Sequence, residues 1–404
     1  MTTSPPETQN SLARDALLAA ALAVAIGLVF LLEGRPRSSP VAIESPTVIE
    51  PPTVIEPEPA AQSSKLMRIA VIPETAEFDD MGRLLDTLGT AYTYRRTGFD
   101  DLLEPEALRR FDIVFVTCSG YPANWLGEAS GGQLRGNELR QPNEETFARA
   151  KAALRGFVNG GGTLYASDLH FNLIAECFPE FVDRSRLARG VAQTVEAAVV
   201  EPGLRELLGE TIDLTFDQDG WAAAALAGEG MTTYLEGTFK VIDGTEKKSP
   251  LLVKMSHGKG TIVFTSFHNE KQNSKSEHQL LKYLVFSAVT AGVDSEATRQ
   301  MARGGFSATR RNLFSASKDA ESVSQVFDNR SVSHLQFVLA FPEQGATLEL
   351  AVTGPDGATV RKRGSTTLTI DVPAAAAGSW EYSITAVRVP SENFPFTITV
   401  GRKD

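Results

Sequence analysis

The sequence predicts an α/β domain with a doubly wound, mostly parallel sheet, followed by a C-terminal all-β sandwich and preceded by a transmembrane helix. Three observations predict this organisation. Residues 16–32 carry no charge, residues 66–292 alternate short apolar runs with amphipathic segments, and residues 321–404 alternate apolar with polar positions. The first pattern is typical of a membrane span, the second of strands alternating with helices, and the third of half-buried strands.

The uncharged segment follows a short N-terminal tail, residues 1–15, and reads ALLAAALAVAIGLVFLL. Its length is close to the minimum needed to cross a hydrocarbon core about 30 Å thick. A cleavable signal peptide is the alternative, but Glu-Gly-Arg-Pro-Arg follows where small residues would mark the cleavage site. We therefore expect an uncleaved single-pass anchor.

The orientation of the anchor depends on two opposing indications. Arg35 and Arg37 follow the span and only Arg14 precedes it. By the positive-inside rule, this distribution slightly favours a cytosolic C-terminal part. Short tails followed by one anchor and a stalk more often precede exported domains. We expect the soluble domains to be extracytoplasmic, held away from the membrane by a Pro-rich stalk at 33–65 that repeats Pro-Thr-Val-Ile-Glu-Pro.

Composition and short motifs exclude several classes of function. The net charge of −11 argues against nucleic acid as a partner, because a nucleic-acid binder needs a basic face. The sequence contains no C-x-x-C pair, no H-E-x-x-H, no P-loop and no dinucleotide fingerprint, so we expect no cofactor. The two cysteines, Cys118 and Cys177, are compatible with a reduced pair or with one disulfide.

The α/β domain is predicted at 66–292 from its alternating elements. The predicted strands are 68–72, 91–94, 111–117, 163–167, 251–255 and 261–266. The predicted helices are 78–88, a segment capped by Asn143 that ends at the glycines 160–162, a segment opened by Asp168, and 277–289. Residues 118–141 are rich in Gly and Asn and are predicted to be a surface loop.

The polar segment 293–320 is predicted to be a linker, and the sandwich is predicted from 321 to the end of the sequence. Its expected strands are 333–341, 347–352, 366–372, 380–387 and 394–400, separated by turns such as Gly-Pro-Asp-Gly at 354–357. Short strands at this spacing without intervening helices are typical of a β-sandwich.

Candidate site residues follow two of the predicted strands. Ser167, Asp168 and His170 follow one strand, and His268 and Glu270 follow another. Because ligands bind at the carboxyl ends of parallel strands, we expect these five side chains to form one ligand-binding cleft. Two imidazoles and two carboxylates can bind a metal or support acid–base hydrolysis, although four residues do not establish a metal site.

Each candidate also has a structural interpretation. Asp168 at the start of a helix can be an N-cap, and His170 can pack within the first turn of that helix. His268 and Glu270 can be held by hydrogen bonds without any chemical role. Cys118 can be a reactive thiol beside a loop or, as we expect, a small half-buried residue at a strand end.

These two strand ends resemble class I glutamine amidotransferase-like domains. Gly-Gly-Gly-Thr-Leu-Tyr-Ala-Ser (160–167) before a helix resembles the region of that family's nucleophile elbow. Gly-Lys-Gly-Thr-Ile-Val-Phe-Thr-Ser-Phe-His-Asn-Glu (258–270) resembles the strand that ends in its Phe-His-Pro-Glu motif, with the trehalose-utilisation-type (ThuA-like) branch the nearest in pattern. The resemblance covers about residues 66–290 and implies an amidotransferase-like, flavodoxin-like fold.

The resemblance implies that His268 would be a general base and Glu270 its orienting acid. The family's nucleophile is a cysteine, but the elbow position here falls on Ser167-Asp168-Leu169. Cys118 follows a different strand, and Cys177 lies at the far end of the following helix. We therefore expect no glutaminase activity. The sandwich, with Ala-Gly-Ser-Trp-Glu-Tyr-Ser-Ile-Thr after its turn, resembles the pre-peptidase C-terminal modules of secreted bacterial proteins.

Three functions follow as hypotheses. The first is a membrane-anchored, non-catalytic scaffold or sensor that binds a ligand or protein partner through a degenerate amidotransferase-like domain and the β-sandwich. The second is a membrane-tethered hydrolase with His268, Asp168 and Glu270 as catalytic residues, or with a bound metal. The third is a glycan-binding surface protein, which requires exposed aromatic side chains on the sandwich.

Overall fold

The structure, a computed structural model, describes residues 67–89, 92–127, 142–223, 226–272, 274–342 and 345–403. The predicted tail, membrane anchor and stalk at 1–65 lie outside these ranges. Within the ranges that are described, no helix is both long and apolar enough to span a lipid bilayer. The described residues belong to one compact unit.

The α/β domain contains the strands that build the candidate site, and four of the strands longer than two residues have every residue buried, as expected for strands covered on both faces. In chain order the strands are β1 (Ile69–Ile72), β2 (Tyr94–Arg96), β3 (Ile113–Val116), β4 (Thr163–Ser167), β5 (Ala188–Arg189), β6 (Gln193–Val199), β7 (Thr211–Phe216), β8 (Ala222–Ala223), β9 (Met231–Lys240), β10 (Glu246–His257) and β11 (Gly260–Thr265). Among the strands longer than two residues, the fully buried ones are β1, β3, β4 and β11.

Nine of these strands form one mixed sheet in the described part of the chain, in the order β2-β1-β3-β4-β11-β10-β9-β6-β7. The first five are parallel, and their order is that of flavodoxin-like sheets. The other four strands join in antiparallel pairs. The predicted α/β domain is confirmed, and its antiparallel extension arises because β9, β10 and β11 are joined by short turns that reverse the chain.

Helices cover both faces of the sheet. They are α1 (Met81–Asp86), α2 (Pro105–Leu108), α3 (Glu144–Asn159), α4 (Phe171–Cys177), α5 (Pro202–Leu208) and α6 (Lys275–Arg303). Ile69 and Val71 of β1 pack in one apolar cluster with α1 and α6. Ala70 and Ile72 point to the opposite face and pack with α3 and α4. Successive strand residues therefore contribute to two separate cores.

The predicted cap of α3 is present. The Asn143 side chain accepts a hydrogen bond from the Thr146 N–H at 3.1 Å. After the helix, Gly161 has φ +113°, a backbone conformation that favours glycine. The triple glycine therefore turns the chain directly into β4, which leads to Asp168.

The expected linker at 293–320 is wrong, because α6 continues to Arg303 and residues 307–316 form a strand. The polar residues of this segment belong to a helix with one buried face. Ala297 and Met301 on that face pack against Val338 and Ala340 of the sandwich. Asp294 is 3 % exposed and is paired with Arg311 and Lys254, so a charged residue here marks an internal ion pair and not a solvated loop.

The predicted sandwich is confirmed as two antiparallel sheets, with orders β12-β19-β14-β17 and β13-β18-β15-β16 in the described ranges. Its strands are β12 (Ser307–Ala316), β13 (Ser322–Asn329), β14 (Ser333–Ala340), β15 (Thr347–Thr353), β16 (Thr359–Gly364), β17 (Leu368–Ala375), β18 (Gly378–Arg388) and β19 (Phe394–Lys403). Trp380 is buried in its core. The large apolar side chains exposed on the described sandwich are valines (Val326, Val332 and Val360), so those residues do not supply the aromatic platform of a glycan-binding face.

Candidate functional site

The carboxyl ends of β3, β4 and β11 bring three side chains together. Cys118 Sγ lies 3.4 Å from Asp168 Oδ2, and His268 Nε2 lies 3.1 Å from the same oxygen. Cys118 is fully buried, and Asp168 and His268 are each 4 % exposed. These strands are neighbours in the parallel half of the sheet, so the residues that follow them meet at one edge.

Asp168 occupies the turn between β4 and the following helical segment in a left-handed conformation, with φ +45°. This is a strained conformation for a residue with a Cβ, and such residues cluster at functional sites. The N-cap positions of the two helical segments that follow β4 are Ser167 and His170, so Asp168 is not at an N-cap. Its Oδ1 instead accepts a hydrogen bond from the Ala222 N–H at 2.6 Å. The N-cap interpretation of Asp168 is therefore wrong, because the carboxylate points across the cleft.

His268 lies between two carboxylates. Its Nε2 faces Asp168, and its Nδ1 lies 2.8 Å from Asp217 Oδ1. Burial lowers the pKa of His268, but the hydrogen bond and charge of Asp168, together with the charges of Asp79 and Asp217, raise the pKa to about 9. At neutral pH the imidazole is therefore protonated and donates from both nitrogens.

A second buried carboxylate, Asp79, supports the segment around His268. Asp79 Oδ1 accepts from the backbone N–H groups of Asn269 and Glu270, and Asp79 Oδ2 accepts from Asn269 Nδ2 at 2.8 Å. The Ser167 hydroxyl donates to the same carboxylate at 3.3 Å. Burial raises the pKa of Asp79 to about 6, while His268 and these donors oppose the increase. Asp79 therefore fixes the backbone that carries His268.

Two of the predicted cleft residues point elsewhere. The Glu270 carboxylate lies 2.8 Å from Arg83 Nη1 on α1, so it does not orient His268, and Asp217 occupies that position instead. His170 is fully buried, 3.1 Å from Ser119 Oγ and in edge contact with the Tyr121 ring. Burial lowers the pKa of His170 to about 3, which keeps it neutral. The prediction of one cleft containing all five residues is wrong for these two, because the short helix after β4 turns His170 into the core.

The cleft prediction is also wrong for Ser167, whose hydroxyl bonds Cys118 and Asp79 inside the protein and does not face a ligand. Its hydroxyl accepts a hydrogen bond from the Cys118 N–H at 2.9 Å and is fully buried. Cys118 and Cys177 are both free and buried, so they do not form a disulfide. Burial, with the charge of Asp168, raises the pKa of the Cys118 thiol far above its usual value. The free thiol is therefore not a nucleophile at neutral pH.

Aromatic side chains line the site beside Asp217 and His268. Trp221 is 3 % exposed, stacks on Phe216 with ring centroids 4.0 Å apart, and donates from Nε1 to the Val191 carbonyl at 2.9 Å. The cavity beneath has a volume of about 10 Å³ and is lined by Asp168, Asp217, Ser266 and His268 among others. A space of this size holds about one water molecule.

The Gly-Lys-Gly motif positions β11 and hence His268. Gly258 has φ +60°, and a Cβ at Gly260 would lie 2.2 Å from the Val158 carbonyl oxygen. Both glycines are required because the turn between β10 and β11 packs directly on the end of α3. The motif thus has a structural role that brings the strand beside β4.

Asp217, Trp221 and Asp79 were not among the predicted site residues. Asp217 immediately follows β7, which runs in the same direction as β4 and β11 because four antiparallel pairings separate it from β11. The signal that identified Asp168, an acid after a strand, therefore also applies to Asp217. Trp221 and Asp79 lie in loops and carry no such signal.

Comparisons with known proteins give only distant likenesses. No protein-family model and no curated protein matches the chain. A cytoplasmic protein from Salmonella typhimurium is 12% identical with a TM-score of 0.32, covering 55% of this chain and 98% of that one. A glutamine amidotransferase from Thermotoga maritima is 11% identical with a TM-score of 0.32, covering 59% and 94%. A mitogen from Yersinia pseudotuberculosis is 14% identical with a TM-score of 0.19, covering 24% and 86%. Likenesses at these TM-scores add no argument about function.

Proposed function

We propose that this chain is a membrane-anchored, non-catalytic sensor or scaffold that binds a ligand or protein partner through a degenerate amidotransferase-like domain. The observation that carries the proposal is the position of the Asp168 carboxylate and its hydrogen bonds. Its carboxylate occupies the elbow, where an amidotransferase-like enzyme requires a thiolate, and both of its oxygens already face donors from Ala222, Cys118 and His268.

The neighbouring groups are also held in unreactive states. His268 is protonated at neutral pH, so it does not accept a proton from a nucleophile. The Cys118 thiol is protonated as well, and Trp221 leaves a cavity too small for glutamine. These features favour binding of a small ligand, or of a partner at the surface around the narrow cleft, over turnover of a substrate.

The membrane part of the proposal is supported by sequence alone. The uncharged span at 16–32 and the acidic stalk after it are suited to hold the soluble part near a bilayer. We place the soluble part outside the cytoplasm on the same basis. The sandwich, which packs on α6, offers a second surface for a partner.

Activity and binding measurements on the full-length chain, purified in detergent, test the proposal. We expect no ammonia release from glutamine and no ester or amide hydrolysis above the rate of His268→Ala. Cross-linking in intact membranes is expected to capture a partner or ligand whose yield decreases in His268→Ala and Asp168→Asn and persists in Cys177→Ala. A turnover that disappears in His268→Ala would contradict a non-catalytic function.

A second candidate, a membrane-tethered hydrolase, is favoured by one observation. His268 is hydrogen-bonded to Asp217 on one side and to Asp168, which has a strained backbone, on the other. This arrangement resembles a catalytic base, His268, with an orienting acid, Asp217. In an ester hydrolysis, deprotonated His268 would take a proton from a water that adds to the ester carbonyl. It would then give that proton to the leaving alcohol as the ester bond breaks. Its rate would increase with pH towards the His268 pKa of about 9, whereas a non-catalytic chain shows no such profile.

A further inference from the structure

The cluster of Cys118, Asp168 and His268 has the composition of a metal site. It offers one sulfur, one oxygen and one nitrogen, and these three atoms all lie within 4.8 Å of one another. We propose that Cys118 Sγ, Asp168 Oδ2 and His268 Nε2 bind one Zn²⁺ ion. The inference rests on the proposed sensor function and names the ligand of its cleft.

Two of the three distances between these atoms are close to those of tetrahedral coordination, and the third is at most 4.8 Å. Zinc bonds of about 2.3 Å to sulfur and about 2.0–2.2 Å to nitrogen and oxygen place neighbouring ligand atoms about 3.3–3.5 Å apart. The sulfur–oxygen distance is 3.4 Å and the nitrogen–oxygen distance is 3.1 Å. The side chains therefore need only small movements to accept the ion.

Hydrogen bonds to the ligand atoms that do not face the metal also orient two of the ligands, as is usual in zinc sites. Asp217 Oδ1 lies 2.8 Å from His268 Nδ1, so a proton on Nδ1 leaves the Nε2 lone pair free for the metal. The Ala222 N–H holds Asp168 Oδ1 at 2.6 Å and leaves Oδ2 facing the cluster. Asp217 is thus a positioning residue of the proposed site.

The small cavity supplies a fourth position. Its volume of about 10 Å³ suits a single water molecule, and Ser266 is part of its lining. Ser266 is fully buried, and its hydroxyl oxygen has no hydrogen-bond partner among the residues that the structure describes. A zinc-bound water in this cavity would give that hydroxyl the partner a buried polar group requires.

Charge and ligand type identify the class of ion. The thiol proton of Cys118 and the Nε2 proton of the His268 imidazolium both leave to solvent when the metal binds, so a thiolate, a carboxylate and a neutral imidazole together carry two negative charges. A divalent cation makes this buried set neutral. Sulfur and imidazole favour Zn²⁺ over Mg²⁺ and Ca²⁺, which prefer sets of oxygen ligands.

The test uses the full-length chain in detergent, stripped with EDTA and then titrated with Zn²⁺ or Co²⁺. We expect one equivalent of zinc to bind, and the Co²⁺ form to show a thiolate-to-metal charge-transfer band. Cys118→Ser should abolish the band, whereas Cys177→Ser, which changes the other buried thiol, should retain it. Asp217→Asn should weaken zinc binding about 10–100-fold.

X-ray absorption of the zinc-loaded wild-type chain needs no variant and should show one sulfur neighbour. Failure to bind one equivalent, or a charge-transfer band that persists in Cys118→Ser, would overturn the inference. A chain that binds no zinc and hydrolyses nothing would refute the site and leave the non-catalytic function standing. A zinc-loaded chain that hydrolyses a substrate would support the site and refute that function.

Discussion

The imidazole of His268 and the carboxylate of Asp168 lie 3.1 Å apart, and both residues are 4 % exposed. A buried imidazolium is stable only where carboxylates compensate its charge, and Asp217 supplies the second one. The contact joins the ends of β4 and β11 at the position where the proposed ligand binds. Substitutions at this pair therefore affect stability and binding together.

Asp168→Asn should destabilise the metal-free chain. The amide cannot reproduce the charge that faces His268 while also accepting from the Ala222 N–H, so we expect a loss of about 1.5–3 kcal/mol in the free energy of unfolding. Denaturant unfolding in EDTA measures it. Asp183→Asn is the control, because this partly exposed residue caps a short helix and Asn caps equally well. An Asp168→Asn variant as stable as wild type would restore the N-cap interpretation.

Asp294→Asn should be among the most destabilising single substitutions in the described part of the chain. Asp294 Oδ1 lies 2.7 Å from Arg311 Nε and its Oδ2 lies 3.3 Å from Lys254 Nζ, which ties α6 to both domains. Removing one partner of a buried ion pair typically costs about 3–5 kcal/mol. Glu296→Gln, two positions along α6 in an exposed pair with Arg299, should change the unfolding midpoint little. Equal effects of the two substitutions would contradict the buried role of Asp294.

The same carboxylate predicts a dependence of stability on acid. Burial raises the pKa of Asp294, but the charges of Arg311 and Lys254 outweigh that effect and hold the pKa below its usual value of 3.8. Because the pKa is lowered by folding, the stabilisation is present above pH 3.8 and is lost as pH decreases below it. Unfolding free energies of wild type and Asp294→Asn should therefore converge below that pH. A difference that stays constant with pH would rule out this linkage.

The segment 16–32 should remain in the mature protein as an uncleaved transmembrane helix. We expect the full-length chain to stay in the membrane fraction after a carbonate wash, with its original N-terminus by mass spectrometry. Recovery of a soluble chain that starts beyond Arg37 would identify the segment as a signal peptide.

The soluble part should lie outside the cytoplasm. A reporter that is active only after export, fused after Asp404, should be active, and a reporter that is active only in the cytoplasm should not. The reverse result would show that Arg35 and Arg37 determine the orientation, as the positive-inside rule alone predicts.

Local pattern alone determined much of this protein. Fully apolar runs identified the buried strands β1 and β3, because a strand covered on both faces has no polar side. The cap at Asn143 and the glycines after α3 identified that helix, because capping depends on neighbours within one turn. The rule that ligands bind at strand ends identified Asp168 and His268, and the structure brings these two into contact.

Only the tertiary structure decided what those residues contact. Asp168 and Asp217 lie on either side of His268 because distant strand ends meet in space, and no local pattern specifies such a pairing. Glu270 pairs with Arg83 outside the site, and the turn after β4 buries His170. Both residues nevertheless follow a strand closely, as residues of a ligand-binding cleft do. Asp294 appeared to belong to a solvated linker because its partners, Arg311 and Lys254, come from other elements. A charge is stabilised in the interior only by groups that folding brings to it, so its role follows from the contacts and not from the segment that carries it.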